Sequence, residues 1–239
     1  MTTTTTPSRL DKLQNIVPAV SPAVAAKPRM SIAVVTTQSA QRQALETEIR
    51  RKFERVYGAQ LRHFLPKLLH LQRSGKLGAA VGIRSAGESS LFLEQYTDRP
   101  IEQFIAGAYQ LPVDRDQVVE IGNLTAVVPG IAYTLFALLA TLLTEAGFRW
   151  VTCTATPQVE AMLARMQFSY RTICSADPAC LSEGSANWGD YYKSRPNVIV
   201  GNTREAAAQV ASHPDMAALL RQFAGPISRI ASQLKSDRA

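Results

Sequence analysis

Cysteine is scarce in this 239-residue sequence, with only Cys153, Cys174 and Cys180 present. Three thiols cannot build the disulfide framework of a small secreted domain, and no C-x-x-C spacing is present to hold zinc. Sparse cysteine in an odd number is typical of a reducing compartment. We therefore predict neither a disulfide framework nor a metal site.

Long apolar runs are also lacking. The longest, residues 131–143, contains two threonines and is shorter than the roughly 20 residues that span a bilayer. The N-terminus opens on a threonine run, without the basic and apolar regions of a secretory signal. These absences predict a cytoplasmic protein without a transmembrane span, and they leave peripheral contact with a membrane open.

No dense block of lysine and arginine is present, although the formal net charge is +7. The basic residues are scattered and are not interleaved with aromatic residues, so we do not expect a nucleic-acid partner. A basic surface does suit an acidic partner, such as an acidic carrier protein or anionic lipid.

What the sequence does contain is an alternation of strand and helix patterns. Residues 1–27, rich in threonine, proline and alanine, are predicted to be a disordered tail with a short helix near 10–17. Strands are predicted at 31–36, 68–71, 77–83, 118–127, 150–155 and 196–200. Helices are predicted at 41–57, 101–109, 131–145 and 157–166. The order predicts an α/β domain over 28–202 with a mixed sheet and helices on both faces. A C-terminal helical extension over 203–239 is expected to break near 213–214 and again near 225–226.

Glu120 is the strongest candidate for chemistry because it interrupts an apolar strand, between Val119 and Ile121. A buried carboxylate is costly unless it is paired, and burial raises its pKa towards that of a useful general base. The alternative is a structural ion pair, with Arg84 as its partner.

Asn123, in the same strand, is a second candidate. It faces away from Glu120 by strand periodicity, unless Gly122 marks a bulge that frees backbone groups. Its alternative role is a hydrogen bond that closes the sheet.

Other candidates each have a plainer alternative. Glu94 is a candidate second carboxylate of an acceptor pocket, or else a solvated charge or helix cap. Arg50 either meets substrate or phosphate, or lies on a solvated helix face. Trp188, Tyr191 and Tyr192 either line an acyl or acceptor pocket or form a satellite core. The helix that begins at the Pro129–Gly130 turn offers free amides and a positive dipole end to an anion.

The strand-helix-strand-helix segment at 118–168 resembles the acyl-CoA-binding half of the GNAT fold of N-acetyltransferases. This resemblance implies that two parallel strands splay apart and that a thioester lies in the gap. Backbone near Leu124 and Thr125 would then hold the pantetheine arm and polarise the thioester carbonyl. The following helix N-terminus, at Gly130, Ile131 and Ala132, would take the donor's phosphate.

A closer resemblance, from about residue 31 to 200, is to the thermostable hemolysin family, which is related to acyl-homoserine-lactone synthases. The segments that carry it are 49–53, 57–59, 63–66, 91–96, 100–102, 119–124, 149–151, 154–156, 188–189 and 191–192. The resemblance implies acyl transfer. Arg84 and Glu120 stand where the synthases keep a functional arginine and glutamate.

Three departures from these families refine the expectation. Asn123 stands in place of a synthase arginine, which argues against S-adenosylmethionine as a substrate. The glycine-rich pyrophosphate signature is missing around residues 127–133. Leu163 replaces the tyrosine that protonates the leaving thiolate. A carrier-protein or long-chain acyl donor is therefore favoured over acetyl-CoA.

The sequence thus predicts an N-acyltransferase that moves an acyl group from an acyl carrier protein or acyl-CoA to a small amine. A long-chain acyl group is favoured. The acyl thioester is a co-substrate, and no tightly bound cofactor is predicted. The predicted catalytic residues are Glu120, Asn123 and Glu94. The predicted substrate-binding residues are Arg84, Phe92, Trp188, Tyr191 and Arg50. The alternatives are a membrane-active hemolysin that inserts helix 131–143 into lipid, and a synthase of acyl-homoserine-lactone type.

Overall fold

A computed structural model describes residues 29–237. The predicted tail at 1–27 and its short helix lie outside the described residues. The strands are β1 Met30–Val35, β2 Lys67–Arg73, β3 Lys76–Ser85, β4 Val118–Ala126, β5 Trp150–Ala155, β6 Tyr170–Ser175 and β7 Asn197–Asn202. The helices are α1 Arg42–Tyr57, α2 Ile101–Tyr109, α3 Ile131–Glu145, α4 Pro157–Arg165, α5 Thr203–Ser212 and α6 Pro214–Ser236.

The strands form one seven-stranded sheet in the order β1-β2-β3-β4-β5-β7-β6. Neighbouring strands are antiparallel except β4 and β5, which run parallel. Their pairing covers only Val118–Trp150, Val119–Val151 and Glu120–Thr152. Beyond Glu120 the two strands diverge, as the resemblance to the GNAT fold implied.

Strand periodicity gives the sheet two apolar faces, because successive side chains point to opposite sides. On one face, Val119 and Ile121 join a core with α3, α4 and α6. On the other face, Val118 packs with α2, while α1 covers β2 and β3. The predicted mixed sheet with helices on both faces is therefore confirmed.

The apolar helix α3 lies at the centre of the first core. Leu135, Leu138 and Leu142 are fully buried there, and α5 and α6 pack against it. Core packing therefore accounts for the apolarity of this helix without lipid. No helix within residues 29–237 is both long and apolar enough to cross a bilayer.

Two local predictions fail. Strand β6 was not predicted; its side chains are partly or fully exposed, so it lacks the apolar alternation of a half-buried strand. Helix α6 does not break at Gly225–Pro226, although an internal proline removes a backbone hydrogen bond. The helix continues because Phe223, Ile227 and Ile230 on either side of the proline are buried in the core.

Candidate active site

A cleft opens where β4 and β5 diverge, and it reaches both faces of the sheet. On one side its lining includes Glu120 and Thr154, and on the α3 side it includes Ile121, Phe136 and Cys153. The cleft exists because no strand pairing holds β4 to β5 after Glu120 and Thr152. Such a gap in a parallel strand pair is a pre-formed site for a small or extended ligand.

Glu120 lies at the point of divergence and is only 3% exposed. Its two carboxylate oxygens accept the backbone N–H groups of Phe92 at 2.8 Å and Leu93 at 3.0 Å. Burial raises the pKa of Glu120 to about 7, against the lowering effect of those two hydrogen bonds and of the Arg84 charge. A carboxyl group with this pKa can accept and return a proton near neutral pH.

Arg84 lies directly across the β3–β4 pair from Glu120. The guanidinium donates to the Ser90 carbonyl at 3.2 Å, and its Nε is buried without a hydrogen-bond partner. No ion pair within 4.0 Å joins it to Glu120 among the residues the structure describes. Arg84 therefore acts on Glu120 at longer range, and it lines both this cleft and an adjoining polar recess.

Aromatic rings form one wall of the cleft. Phe92 packs against Trp188 with 5.6 Å between ring centroids, and Trp188 lies 5.3 Å from Tyr191. Tyr192 continues the wall and hydrogen-bonds through its hydroxyl to that of Tyr96. The predicted lining role of Phe92, Trp188 and Tyr191 is consistent with this placement, and the rings also form a packed cluster.

The segment that carries Trp188 is fixed to the end of α1. Gln60 N–H donates to the Asn187 carbonyl, and Asp190 N–H donates to the Tyr57 carbonyl, both at 2.7 Å. Gly189 between them has φ 52°, and a Cβ there would lie 2.1 Å from the Tyr57 carbonyl oxygen. Only glycine fits this approach, so the aromatic wall depends on it.

Asn123 holds a different segment in place. The β3–β4 register shifts between Ala80 and Gly82, so β4 carries a bulge there, and Asn123 adopts φ 50°. Its side-chain amide accepts the Leu65 N–H at 2.9 Å and donates to the His63 carbonyl at 3.2 Å. The conditional prediction of a bulge is therefore confirmed. The amide lines the cleft, but it is committed to the 63–65 backbone, which favours the structural alternative over catalysis.

Glu94 requires a correction, because the structure places it outside the cleft lining. Its carboxylate binds Arg115 at 2.6 Å and 2.8 Å and accepts the N–H groups of Leu91 and Ile101. Burial would raise the pKa of Glu94, but the Arg115 and backbone hydrogen bonds bring it below its usual value. Glu94 is thus an ionised cap for the chain around α2, not a second acceptor carboxylate.

Arg50 requires a similar correction. It is absent from the cleft lining and donates to the Leu61 carbonyl at 3.2 Å and to Glu46 at 3.2 Å. Its guanidinium lies 4.7 Å from the ring centre of Phe64, which does line the cleft. Arg50 therefore supports the lining segment without meeting the cavity itself.

Of the predicted donor-binding residues, Leu124 alone lines the cleft. Thr125 is buried opposite Ala80, and Ile131 is buried in the core. At the start of α3, the Ile131 N–H donates to the Val128 carbonyl and the Tyr133 N–H to the Gly130 carbonyl. One amide that the prediction offered to phosphate, that of Ile131, is thus occupied by the turn. A phosphate at Gly130–Ala132 stays a prediction that rests on fewer donors.

Several lining residues were missed by sequence reasoning, including Tyr57, Tyr96, Thr156 and Cys153. Burial raises the pKa of Tyr57, with a hydrogen bond to Thr156 opposing it, and burial also raises the pKa of Cys153 to about 12. Cys153 is therefore a neutral lining thiol. Its place in β5, one residue beyond the last residue paired with β4, was the signal that could have identified it.

The fold is similar to those of solved acyl-transferring synthases. The AHL synthase LasI matches with a TM-score of 0.50 and 10% identity, over 74% of this chain and 91% of LasI. FeeM, an N-acyl amino acid synthase from uncultured soil microbes, matches with 0.53 and 13%, over 77% and 96%. BjaI, a CoA-dependent acyl-homoserine lactone synthase, matches with 0.51 and 12%, over 77% and 89%. At these identities the similarity establishes the fold.

The diverging strands and the flanking helices therefore define an α/β protein of the GNAT-like class, with the fold of these synthases. The chain itself belongs to the thermostable hemolysin family, whose profile matches residues 35–207. Both resemblances proposed from the sequence are thereby confirmed. Comparison with curated proteins gave no match.

Proposed function

We propose that this protein is an N-acyltransferase that moves an acyl group from a thioester donor to a small amine. The observation that carries the proposal is Glu120, a buried carboxylate with a pKa near neutrality at the point where two parallel strands diverge. The similarity of the fold to LasI, FeeM and BjaI supports it, since their products are named as N-acyl amino acids or acyl-homoserine lactones.

In the proposed reaction, Glu120 accepts a proton from the acceptor amine, directly or through one water. The amine nitrogen attacks the thioester carbonyl, the new C–N bond forms, and the C–S bond breaks. The proton held by Glu120 then passes to the leaving thiolate, so the carboxylate is regenerated and a free thiol is released. The backbone N–H groups of Phe92 and Leu93 keep the carboxylate oriented throughout.

The acceptor proposed for this site carries a carboxylate beside its amine. Arg84 and Glu120 are a cross-strand pair, and such side chains have Cβ atoms about 4.5–5.5 Å apart. An α-amino acid can therefore present its amine to Glu120 and its carboxylate to the unpaired Nε of Arg84. FeeM, an N-acyl amino acid synthase, shares the fold.

The donor proposed is an acyl carrier protein or a long-chain acyl-CoA. The net charge of +7 favours encounter with an acidic carrier, because opposite charges steer association. The cleft is lined largely by apolar and aromatic side chains, which suits an acyl chain more than a polar group.

Thiol release with purified protein tests the proposal. Acyl-CoA and acyl-carrier-protein donors are each mixed with amino acids, amino-acid amides and simple amines. We expect thiol release with at least one amino acid, a lower rate with its amide, and an N-acyl product by mass spectrometry. Absence of thiol release for every pair, from folded protein, would reject the proposal. Leakage of dye-loaded liposomes in that case would favour the membrane-active alternative.

A further inference from the structure

We infer that the polar recess beside the cleft receives the side chain of the acceptor and selects a carboxylate or a carboxamide there. This inference rests on the proposed function, because it takes an amino acid held by Glu120 and Arg84 as the acceptor. The acceptors it names are glutamate, aspartate, glutamine and asparagine.

The recess is continuous with the cleft, since His63, Arg84, Phe92 and Trp188 line both. Arg84, the proposed partner of the acceptor's α-carboxylate, therefore lies on the shared boundary. In the proposed reaction the donor occupies the apolar cleft, which leaves the recess for the acceptor's side chain. The recess has a volume of about 240 Å³, below the roughly 300–1,000 Å³ of pockets for larger ligands, so it suits one amino-acid side chain.

The walls of the recess are held together by hydrogen bonds between distant segments. His63 Nε2 lies 2.9 Å from a carboxylate oxygen of Glu183. The side-chain carbonyl of Gln95 accepts the N–H of Ser182 at 3.1 Å and its hydroxyl at 2.9 Å. These groups are already paired within the protein, so they shape the recess and leave ligand recognition to the other polar side chains.

The polar side chains that remain can all donate a hydrogen bond. Arg62, Gln60 and Asn187 line the recess, and their side chains form no hydrogen bond or ion pair within residues 29–237. Because Arg84 is assigned to the α-carboxylate, Arg62 supplies positive charge for a second group. A carboxylate or a carboxamide oxygen accepts such donors. An apolar side chain would displace water from them without replacing its hydrogen bonds, and a lysine side chain would meet a like charge.

A comparison of acceptors gives the first test. Glutamate, glutamine, norleucine and lysine have side chains of similar length but different polar ends. With one acyl donor, kcat/KM for glutamate and glutamine is expected to exceed that for norleucine and lysine by about tenfold or more. Equal use of norleucine, or a preference for lysine, would overturn the inference.

Arg62→Met removes the charge and the donors while keeping a side chain of similar length. Arg62 is exposed, so the variant is expected to fold. The expected result is a loss of about tenfold in kcat/KM for glutamate with norleucine unchanged, and Arg62→Lys should restore part of the loss. The matched control is Arg55→Met, on the exposed face of α1 and outside both linings, which should change neither.

Binding of amino acids without a donor separates this inference from the proposed function. Glutamate, glutamine and norleucine are titrated against intrinsic fluorescence, which Trp188 on the shared boundary reports. Tighter binding of glutamate that Arg62→Met weakens supports the recess, even if no donor is turned over. Thiol release at equal rates with all three, together with equal binding, would keep the proposed function and overturn the inference. A wild type without preference in either assay also overturns it.

Discussion

At the scale of single residues, the pKa of Glu120 is set by effects of opposite sign. Removal of Glu120 from water favours its neutral form, while two backbone N–H groups and the Arg84 charge favour the anion. Desolvation prevails, so the pKa lies well above its ordinary value. Glu94, by contrast, is also buried in part but has Arg115 at 2.6 Å, and its pKa falls. Two features separate the proton acceptor from the structural anion here: Glu94 is less buried than Glu120, and it has an adjacent guanidinium.

Glu120→Gln is expected to make protein stability less dependent on pH. The pKa of Glu120 rises from 4.5 to about 7 on folding, so the folded state binds the proton more tightly than the unfolded state. The wild type therefore loses stability relative to the variant as pH rises from about 4.5 to 7, and the difference is constant above that range. The total is a few kcal/mol, at about 1.4 kcal/mol for each pH unit. Chemical denaturation between pH 4.5 and 8 measures it, and a constant difference would contradict the assigned pKa.

Asn123→Ala is expected to lower stability as well as activity. The substitution leaves the Leu65 N–H and the His63 carbonyl without their side-chain partner, at a cost of about 1–3 kcal/mol in the free energy of unfolding. Urea denaturation checks the stability, and thiol release checks the rate. Loss of turnover with unchanged stability would show that Asn123 acts in catalysis and not in positioning.

At the scale of elements, the cleft depends on chain segments held from outside. The segment before β2 is fixed to α1 by Arg42, which donates to the carbonyls of Leu65 and Pro66, and to β4 by Asn123. Gly82 permits this approach, since a Cβ there would lie 2.8 Å from the Leu65 Cβ. These contacts join residues that are distant in sequence, which is why strand and helix periodicity could not predict them.

Helix α6 offers an element-scale prediction at Gly225. This glycine lies inside the helix, and an added Cβ would meet no atom within 4 Å. Gly225→Ala is therefore expected to raise stability by about 0.5–1 kcal/mol, because alanine loses less backbone entropy in a helix. Gly189→Ala is the contrasting variant and is expected to destabilise, since its Cβ would overlap the Tyr57 carbonyl. Thermal unfolding of both variants checks the pair; destabilisation by Gly225→Ala would indicate that α6 bends there.

At the scale of the whole molecule, the sequence predicted the fold well and the site only in part. Helices such as α1 and α2, with clear apolar periodicity and a glycine or proline at an end, were predicted almost to the residue. Glu120 stood out because a charge in an apolar strand has few explanations. Glu94 and Arg50 were misplaced because their partners, Arg115 and the Leu61 carbonyl, are set by tertiary packing. The Tyr96–Tyr192 contact joins residues 96 positions apart, beyond any local pattern.

The basic surface gives a test of the donor. If an acidic carrier protein delivers the acyl group, the KM for the acylated carrier protein should rise steeply with salt. Dissolved ions screen the attraction between the carrier and the basic surface, so charge steering weakens. A change from low to moderate ionic strength should affect an acyl-CoA of the same chain less. Parallel titrations with both donors measure this; an equal salt effect on both would argue against a carrier protein.

The ratio of wild-type to Glu120→Gln turnover across pH tests the central claim most directly. The titration of the acceptor amine cancels in this ratio, which leaves the protonation of Glu120. We predict that the ratio of kcat/KM values rises with pH, about tenfold per unit at the acidic end, and levels off above about 7, where the carboxylate is ionised. A ratio near one at every pH would contradict the account, because Glu120 would then have no part in the transfer.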